Sequence, residues 1–413
     1  MFRRDKRARA DRVLIIVQNL PVPLDRRVWL ESQALRDAGY GVSVICPRGP
    51  DDSRFEVLEG IRIHRYRPAP ATHGIVSFVW EFAYCWLVTL WLAVKIYVRD
   101  GVEVIQACNP PDTFWALALL FRPFGVRFVF DQHDLCPEVY DARFEKPNPI
   151  LARGLRVLER ASYATAHHVI VTNALYHEIA LVRGHLQPAR VTVVRNGPIA
   201  DRFVRGEPDE SLRRGRHFLC CYLGIMGPQD GVDLVVRLAK EVRATGRDDV
   251  QFAILGFGDE LDNLRALAKE LRVDDCVEFT GRADDAMVRA WLSTADVGIV
   301  PDPKTPFNDV SSMNKTVEYM AFGLPVLAFD LRETMATADA AGAFVPQPDA
   351  ASFARVLLEL LDDPERRAKM AAFGRDKFER ELAWHDQATK YVAVYDAMLA
   401  RPTSAGAIND GRG

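Results

Sequence analysis

Asp309-Val-Ser-Ser-Met-Asn-Lys-Thr-Val-Glu318-Tyr-Met-Ala-Phe-Gly323-Leu-Pro325-Val-Leu-Ala-Phe-Asp330 is the stretch on which the reading of this chain turns. It runs from a polar loop into a short helix, then through a Gly-Leu-Pro turn into a buried strand. Ser311 or Ser312 is placed to cap the helix, which leaves the first-turn N–H groups around Met313 and Asn314 for an anion, with Lys315 adding an explicit positive charge. Glu318 follows one to two turns later, where a carboxylate can accept both hydroxyls of a ribose. The same spacing also suits a capped surface helix whose glutamate is solvated.

Working outward, the pattern is two successive α/β halves. Strands are expected at Val13 to Val17, Gly41 to Cys46, Val102 to Ala107, Arg127 to Phe130 and His168 to Thr172, closed by Val191 to Val194, with helical stretches between them. That alternation implies a parallel sheet with right-handed crossovers. A charged linker, Arg195 to His217, carries Pro198, Gly206, Pro208 and Gly215, and the pattern then restarts. Strands are expected at Phe218 to Leu223, Gln251 to Leu255, Cys276 to Thr280, Val297 to Val300, Pro325 to Ala328 and Ala343 to Val345. In doubly wound sheets of this kind ligands bind beyond the carboxyl ends of the strands, so two such domains point to a cleft between them.

The chain has 413 residues, 49% hydrophobic and 26% charged, a balance suited to a globular protein with two or three domains. A net charge of -3 gives no case for nucleic acid. Residues 1–12 nevertheless hold Arg3, Arg4, Lys6, Arg7, Arg9 and Arg12 against Asp5 and Asp11, either a solvated tail or one able to touch an anionic membrane. The seven cysteines lack metal-like spacing and read as reduced core residues in a cytosolic setting. No cleavable signal peptide is visible. Residues 401–413 are expected to be a disordered tail.

Ile75 to Val98 is nearly continuous in apolar and aromatic residues and includes Trp80, Trp86 and Trp91. Ser77, Glu81, Lys95 and Arg99 fall in one narrow stripe of the helical wheel. Three placements fit: an interfacial membrane helix, a buried core or dimer helix, and a transmembrane span.

Two further loops follow strands. Phe128-Val-Phe-Asp-Gln-His133-Asp134-Leu-Cys-Pro-Glu138 places polar groups directly after a buried strand, and Asn109-Pro-Pro-Asp112 ends the strand before it. Gln18-Asn-Leu-Pro-Val-Pro-Leu-Asp-Arg26-Arg27 opens the first helix with two arginines, either solvated or bound to phosphate or an anionic acceptor.

Glu318-Tyr-Met-Ala-Phe-Gly-Leu-Pro325 resembles the second half of the Glu-plus-seven-plus-Glu motif of glycosyltransferase family 4, retaining enzymes of the GT-B fold. Leu255-Gly-Phe-Gly-Asp-Glu260, Val277-Glu-Phe-Thr-Gly-Arg282 and Ala295-Asp-Val-Gly-Ile-Val-Pro-Asp302 stand in the order and spacing of that family's C-terminal domain. The likeness spans Val13 to Leu399 and is greatest to the bacterial subgroup that builds cell-surface polysaccharides. It implies two Rossmann-like domains facing a central cleft: an acceptor-side domain over 13–200, joined by a returning helix at 383–399, and a nucleotide-sugar domain over 217–382.

By the same resemblance His133, Lys315 and Asp309 are the catalytic candidates. Donor contacts fall to Glu318, Ser311, Ser312, Met313, Asn314, Gly224, Gly227, Gly256 and Arg282, and the acceptor or phosphate side to Arg26, Arg27, Asn109, Asp134 and Glu138.

Three positions depart from the family pattern. Ile225 and Asp230 stand where an Arg and a Lys usually meet the diphosphate, and Val310 replaces the first glutamate, with Asp309 beside it to supply a carboxylate. The expectation is a retaining, metal-independent transferase without cofactor, moving sugar from a UDP-sugar to a lipid-linked or polysaccharide-precursor acceptor at the cytoplasmic membrane face. The alternatives are a GT-B nucleotide-sugar 2-epimerase and a non-catalytic nucleotide-binding scaffold.

Overall fold

The structure, a computed structural model, describes residues 11–69, 75–144, 146–200, 203–346 and 348–400. The expected basic residues Arg3 to Arg9, the side chain of Ser77 and the tail 401–413 lie outside the described residues. Arg12, counted above with the tail, is the first residue of a strand and its N–H donates to Glu103 Oε2 at 2.6 Å. The chain divides into two compact units: Met1–Asp141 with Lys146–Val194 and Ala388–Gly413, and Ala142–Glu145 with Arg195–Gln387.

The first unit is built on eight strands: β1 (Arg12–Ile16), β2 (Gly41–Pro47), β3 (Phe55–Leu58), β4 (Ile61–Tyr66), β5 (Val104–Cys108), β6 (Arg127–Gln132), β7 (His168–Val171) and β8 (Val191–Val193). Their order is β3-β4-β2-β1-β5-β6-β7-β8, parallel except for the antiparallel β3–β4 pair. β1 is central, with Val13 facing Val42 on one side and Val104 on the other. Strands covered on both faces must be apolar on both, which is why β1, β5 and β6 read as unbroken runs. The β3–β4 hairpin was not anticipated. Its turn uses Glu59 and Gly60 at φ 49° and 81°, the two positive values that match the strands' twist. Helices α1 (Arg26–Asp37), α2 (Ile75–Asp100), α3 (Phe114–Phe121), α4 (Cys136–Arg143), α5 (Pro149–Thr165) and α6 (Ala174–Gly184) connect the strands.

α2 buries Cys85, Thr89, Leu92, Ala93 and Ile96 and packs on β2 and β4. Trp80, Leu87, Trp91, Val94 and Val98 are exposed, Trp80 at 64% and Trp91 at 61%. Only 28% of its most apolar window is buried, so a core helix wholly inside this unit is ruled out. Lys95 and Arg99 are exposed as the polar stripe requires, while Glu81 is half-buried.

The second unit carries β9 (Phe218–Leu223), β10 (Val250–Leu255), β11 (Val277–Gly281), β12 (Val297–Val300), β13 (Val326–Phe329) and β14 (Gly342–Val345), all parallel in the order β11-β10-β9-β12-β13-β14. Its helices are α7 (Asp233–Ala244), α8 (Leu261–Glu270), α9 (Asp285–Thr294), α10 (Asn314–Ala321), α11 (Arg332–Ala338), α12 (Ala350–Leu361) and α13 (Pro364–Lys377). Apolar clusters cover both faces of the sheet: α7 and α12 supply Val235, Val236, Leu357 and Leu360 on one, α9 and α10 supply Trp291, Leu292, Tyr319 and Met320 on the other. The last helix, α14 (Trp384–Leu399), passes into the first unit from Ala388 onward.

Candidate functional site

Polar groups collect beyond the carboxyl ends of the central strands in each unit. In the first, the chain leaves β6 and turns at His133-Asp134. Asn109, the residue after β5, holds that turn: its Oδ1 accepts the N–H of His133 at 2.6 Å and of Asp134 at 3.1 Å. Its Nδ2 donates to the Asp134 carbonyl at 2.7 Å and to Asp112 Oδ1 at 2.9 Å. Asn109 was expected on the acceptor side. The structure commits both of its polar atoms to the backbone and to Asp112, so its role is to fix the turn that carries His133.

Beneath the turn lies a buried charge network. Arg27, placed above near phosphate, instead points inward: NH2 reaches Asp131 Oδ1 at 2.9 Å, NH1 the Val194 carbonyl at 2.9 Å and Nε Glu31 Oε1 at 3.0 Å. The reason is desolvation. Glu31 and Asp131 are fully buried, and an unmatched carboxylate there is very costly, so the nearest cation is drawn in. Gln106 Nε2 donates to both carboxylates, at 2.8 Å to Glu31 and 2.9 Å to Asp131. Gln106 Oε1 in turn accepts from Tyr391, at 2.5 Å, and from Tyr395, both on α14. Glu31, Cys108, Asp131 and His133 bring ligand atoms within 4.8 Å of one another, the reach of a metal site. The Arg27 guanidinium already supplies positive charge to that set.

His133 Nε2 lies 2.8 Å from Asp131 Oδ2 and 3.1 Å from Arg27 Nε. Since the arginine can only donate, Nε2 cannot serve it as acceptor and also donate to Asp131. The Arg27 Nε–H is aimed at His133 Nε2, while Glu31 Oε1 meets Arg27 as an ion pair without a hydrogen bond, so both of the ring's contacts with the network are made through Nε2. The ring therefore turns Nδ1 away from the network, on a side chain 16% exposed. Burial works against charging this imidazole but Asp131 outweighs it and raises its pKa. For Asp131 the burial penalty is overcome by Arg27 and His133, leaving its pKa below the usual carboxylate range. Burial, reinforced by Asp131, pushes the Glu31 carboxyl up to about 8.

Of the three other acceptor-side candidates, one is engaged elsewhere. Glu138 receives both terminal nitrogens of Arg183, NH1 at 3.1 Å, and Arg183 also reaches Glu159 at 3.3 Å, which ties α4 to α5 and α6. Asp134 is half-buried, and burial raises its pKa. Arg26 is exposed at the start of α1, where the cap is Asp25, accepting from the Val28 N–H at 3.1 Å.

In the second unit the ends of β9 and β10 approach more closely than side chains permit. A Cβ on Gly256, whose φ is 144°, would stand 1.8 Å from the Gly224 carbonyl oxygen, so only glycine fits. The loop Gly224 to Gly231 is closed by Asp230, whose carboxylate accepts the Gly227 N–H at 2.8 Å. Thus Asp230, at the position of a usual lysine, shapes the loop. Ile225 is 62% exposed. Arg282, at the end of β11, lies over the Phe257 ring at 5.2 Å, an exposed platform that the motif reading did not include.

Lys315 is buried and bidentate to Asp302, with Nζ at 3.0 and 2.8 Å from the two oxygens and 5.4 Å from the centre of the Tyr222 ring. Its expected role as an unopposed diphosphate cation is corrected accordingly: Asp302, two residues past β12, neutralises it. Neither Ser311 nor Ser312 is the cap of α10. Met313 holds that position and makes no side-chain cap bond. Ser311 Oγ instead donates back to the Phe307 carbonyl at 2.8 Å. Asp309 does not stand in for the missing glutamate, because its carboxylate accepts the Arg332 N–H at 2.9 Å and Nε at 2.6 Å at the start of α11. Val310 is buried. Asn314 is exposed at the first position of α10, and Glu318 is half-buried one turn further on.

Residues 24–197 match the profile of a glycosyl transferase 4-like domain, and residues 217–363 that of glycosyl transferases group 1. With two doubly wound parallel domains and these two matches, the chain is a glycosyltransferase of the GT-B, family 4 type. A D-inositol 3-phosphate glycosyltransferase from Thermomonospora curvata is 27% identical over 309 residues, 69% of this chain and 70% of that one. In fold the chain resembles the sucrose-phosphate synthase of Thermosynechococcus elongatus, with TM-score 0.76, 19% identity and coverage of 94% and 99%. It likewise resembles Anabaena HepE solved in complex with UDP-glucose, with TM-score 0.71, 15% identity and coverage of 94% and 99%.

Proposed function

We propose that this protein is a retaining glycosyltransferase that takes sugar from a nucleotide diphosphate, a UDP-sugar, and passes it to a lipid-linked or polysaccharide-precursor acceptor at the cytoplasmic face of the cell membrane. The observation that carries the donor half is the convergence at the end of β9. There the start of α10, whose cap residue Met313 makes no side-chain cap bond, and the Lys315–Asp302 pair adjoin glycine backbone at Gly224 and Gly256, with Lys315 Cε only 3.3 Å from where a Gly224 Cβ would stand. Backbone N–H groups and a helix dipole hold a diphosphate without an unpaired side-chain cation, which fits the absence of the usual Arg and Lys. Glu318 then accepts the ribose hydroxyls, and UDP-glucose in the HepE structure supports a uridine donor. In this chemistry the leaving phosphate takes the acceptor proton on the face it departs from, so no side chain need be a covalent nucleophile. His133, presenting Nδ1, binds a donor sugar hydroxyl. No metal is assigned a role in this reading.

The acceptor half rests on α2. A 26-residue helix with a continuous exposed apolar stripe and two exposed tryptophans matches an interfacial membrane helix. A lipid-linked acceptor would be met in that layer.

Calorimetric titration of the intact chain with UDP and a panel of UDP-sugars tests the donor. Binding that weakens by about 1–3 kcal/mol in Glu318→Ala supports the reading, as expected for a charge-assisted hydrogen-bonded pair. Equal affinity in the variant and the native chain would reject it. UDP release only when acceptor is added separates transfer from 2-epimerisation.

A further inference from the structure

α5 presents an outer surface of unusual composition for a chain of net charge -3. Ile150 is 77% exposed, Val157 64% and Leu151 47%, while Arg153, Arg156 and Arg160 are exposed beside them. Among the described residues these three arginines make no ion pair. The only acidic residue of the helix, Glu159, is 1% exposed and faces inward to Arg183. At about 100° per residue, Arg156, Arg160 and Arg153 fall together on one side of the outward arc, and Val157, Ile150 and Leu151 on the other. The outer half of the cylinder is thus a cationic strip laid against an apolar strip, with no anion on it.

Position adds to composition. α5 packs on α3 and α6. α3 and the turn after it reach α2 through Tyr97, whose ring lies 5.5 Å from Phe121 and 5.8 Å from Phe124. α2, α3 and α5 are therefore neighbours in one layer, and each brings exposed apolar residues to it: Trp91 and Val98 on α2, Leu120 on α3 with Phe124 after it, and Ile150 and Val157 on α5.

We propose that the outer face of α5 is a second membrane-contact surface of this layer, one that reads anionic lipid headgroups while α2 supplies apolar anchorage. An acidic protein would satisfy the arginines but leave Ile150 and Val157 in water, and a second copy of this chain would oppose arginine to arginine. A negatively charged lipid interface accepts both strips at once, apolar side chains below the headgroups and guanidiniums among them. The inference rests on the membrane reading of α2, and the two are separable by experiment.

The test is co-sedimentation of the full chain with vesicles of phosphatidylcholine, with and without phosphatidylglycerol. Each basic residue at an anionic surface contributes about a fivefold gain in partitioning, so Arg153→Glu/Arg156→Glu/Arg160→Glu should lose at least about 100-fold on anionic vesicles and little on neutral ones. Added salt should release the native protein from anionic vesicles over the same range. Melting curves by circular dichroism identify a variant that fails to fold, in which case the salt titration of the native chain decides alone. A triple variant that binds as well as the native chain, or native binding indifferent to salt, overturns the role of α5. Loss in the arginine variant with full binding by Trp80→Gln/Trp91→Gln keeps α5 and rejects the anchoring role of α2. Native protein that stays in the supernatant with both vesicles overturns both. An Ile150→Ser/Val157→Ser change that only dissociates a dimer overturns the role of α5 alone.

Discussion

Replacing Glu31 by Gln is the sharpest probe of the buried network in the first unit. In the folded chain its carboxyl titrates near 8, raised from 4.5 by burial and then by Asp131, with Arg27 opposing. Between those values an unfolded chain gives up a proton that the folded one keeps, so folding stability falls as pH rises from about 4.5 to about 8. The slope cannot exceed about 1.4 kcal/mol per pH unit, and the whole effect has an upper bound of about 5 kcal/mol. His133 acts in the same direction: its raised pKa contributes stability below its unfolded value near 6.5 that is lost as pH passes its folded value. Asp131, held low, contributes stability above about 3.8 that is lost on acidification. Glutamine keeps the shape and can still accept from Gln106 Nε2, but it does not ionise. The variant should be the less stable at pH 5, where it has lost the carboxyl, and should close the gap with the native chain as pH rises to 8.5. Amide exchange over β6, corrected for its intrinsic pH dependence, reports opening of this unit alone. Parallel protection curves for the two chains from pH 5 to 8.5 would refute the assignment of a neutral Glu31.

Lys315→Met should destabilise the second unit by about 3–5 kcal/mol, because Asp302 is left buried without its cation. Adding Asp302→Leu should restore much of the melting temperature without restoring turnover, and if turnover also returns the pair is purely structural. Gly256→Ala should weaken UDP binding measured by calorimetry, since a methyl 1.8 Å from the Gly224 carbonyl forces the two strand ends apart. Asn109→Ala should lower protection of the His133 and Asp134 amides and cost about 1–3 kcal/mol per lost buried partner, and unchanged exchange there would contradict its clamping role.

Much of the fold was legible because parallel strands covered on both faces must be apolar throughout, and the helices between them then set the crossovers. The β3–β4 hairpin escaped notice because two short strands around Glu59-Gly60 alternate too briefly to stand out. At the candidate site, the motif around Glu318 placed a short helix before the Gly-Leu-Pro turn but set its cap one or two residues too early, and the glycines at 224 and 256 marked strand ends where backbone comes close. Which carboxylate each cation meets was not legible. Arg27 finds Asp131 across 104 positions, Lys315 finds Asp302 across 13, and Asp309 is taken by Arg332 across 23. Sequence by itself determined the alternation of elements, the place of the glycine-lined strand ends and the apolar character of α2, since each follows from local periodicity or from backbone limits. Tertiary structure alone decided which charges are buried together, because the cost of removing an ion from water depends on what packs around it, and that is set by residues far away in the chain.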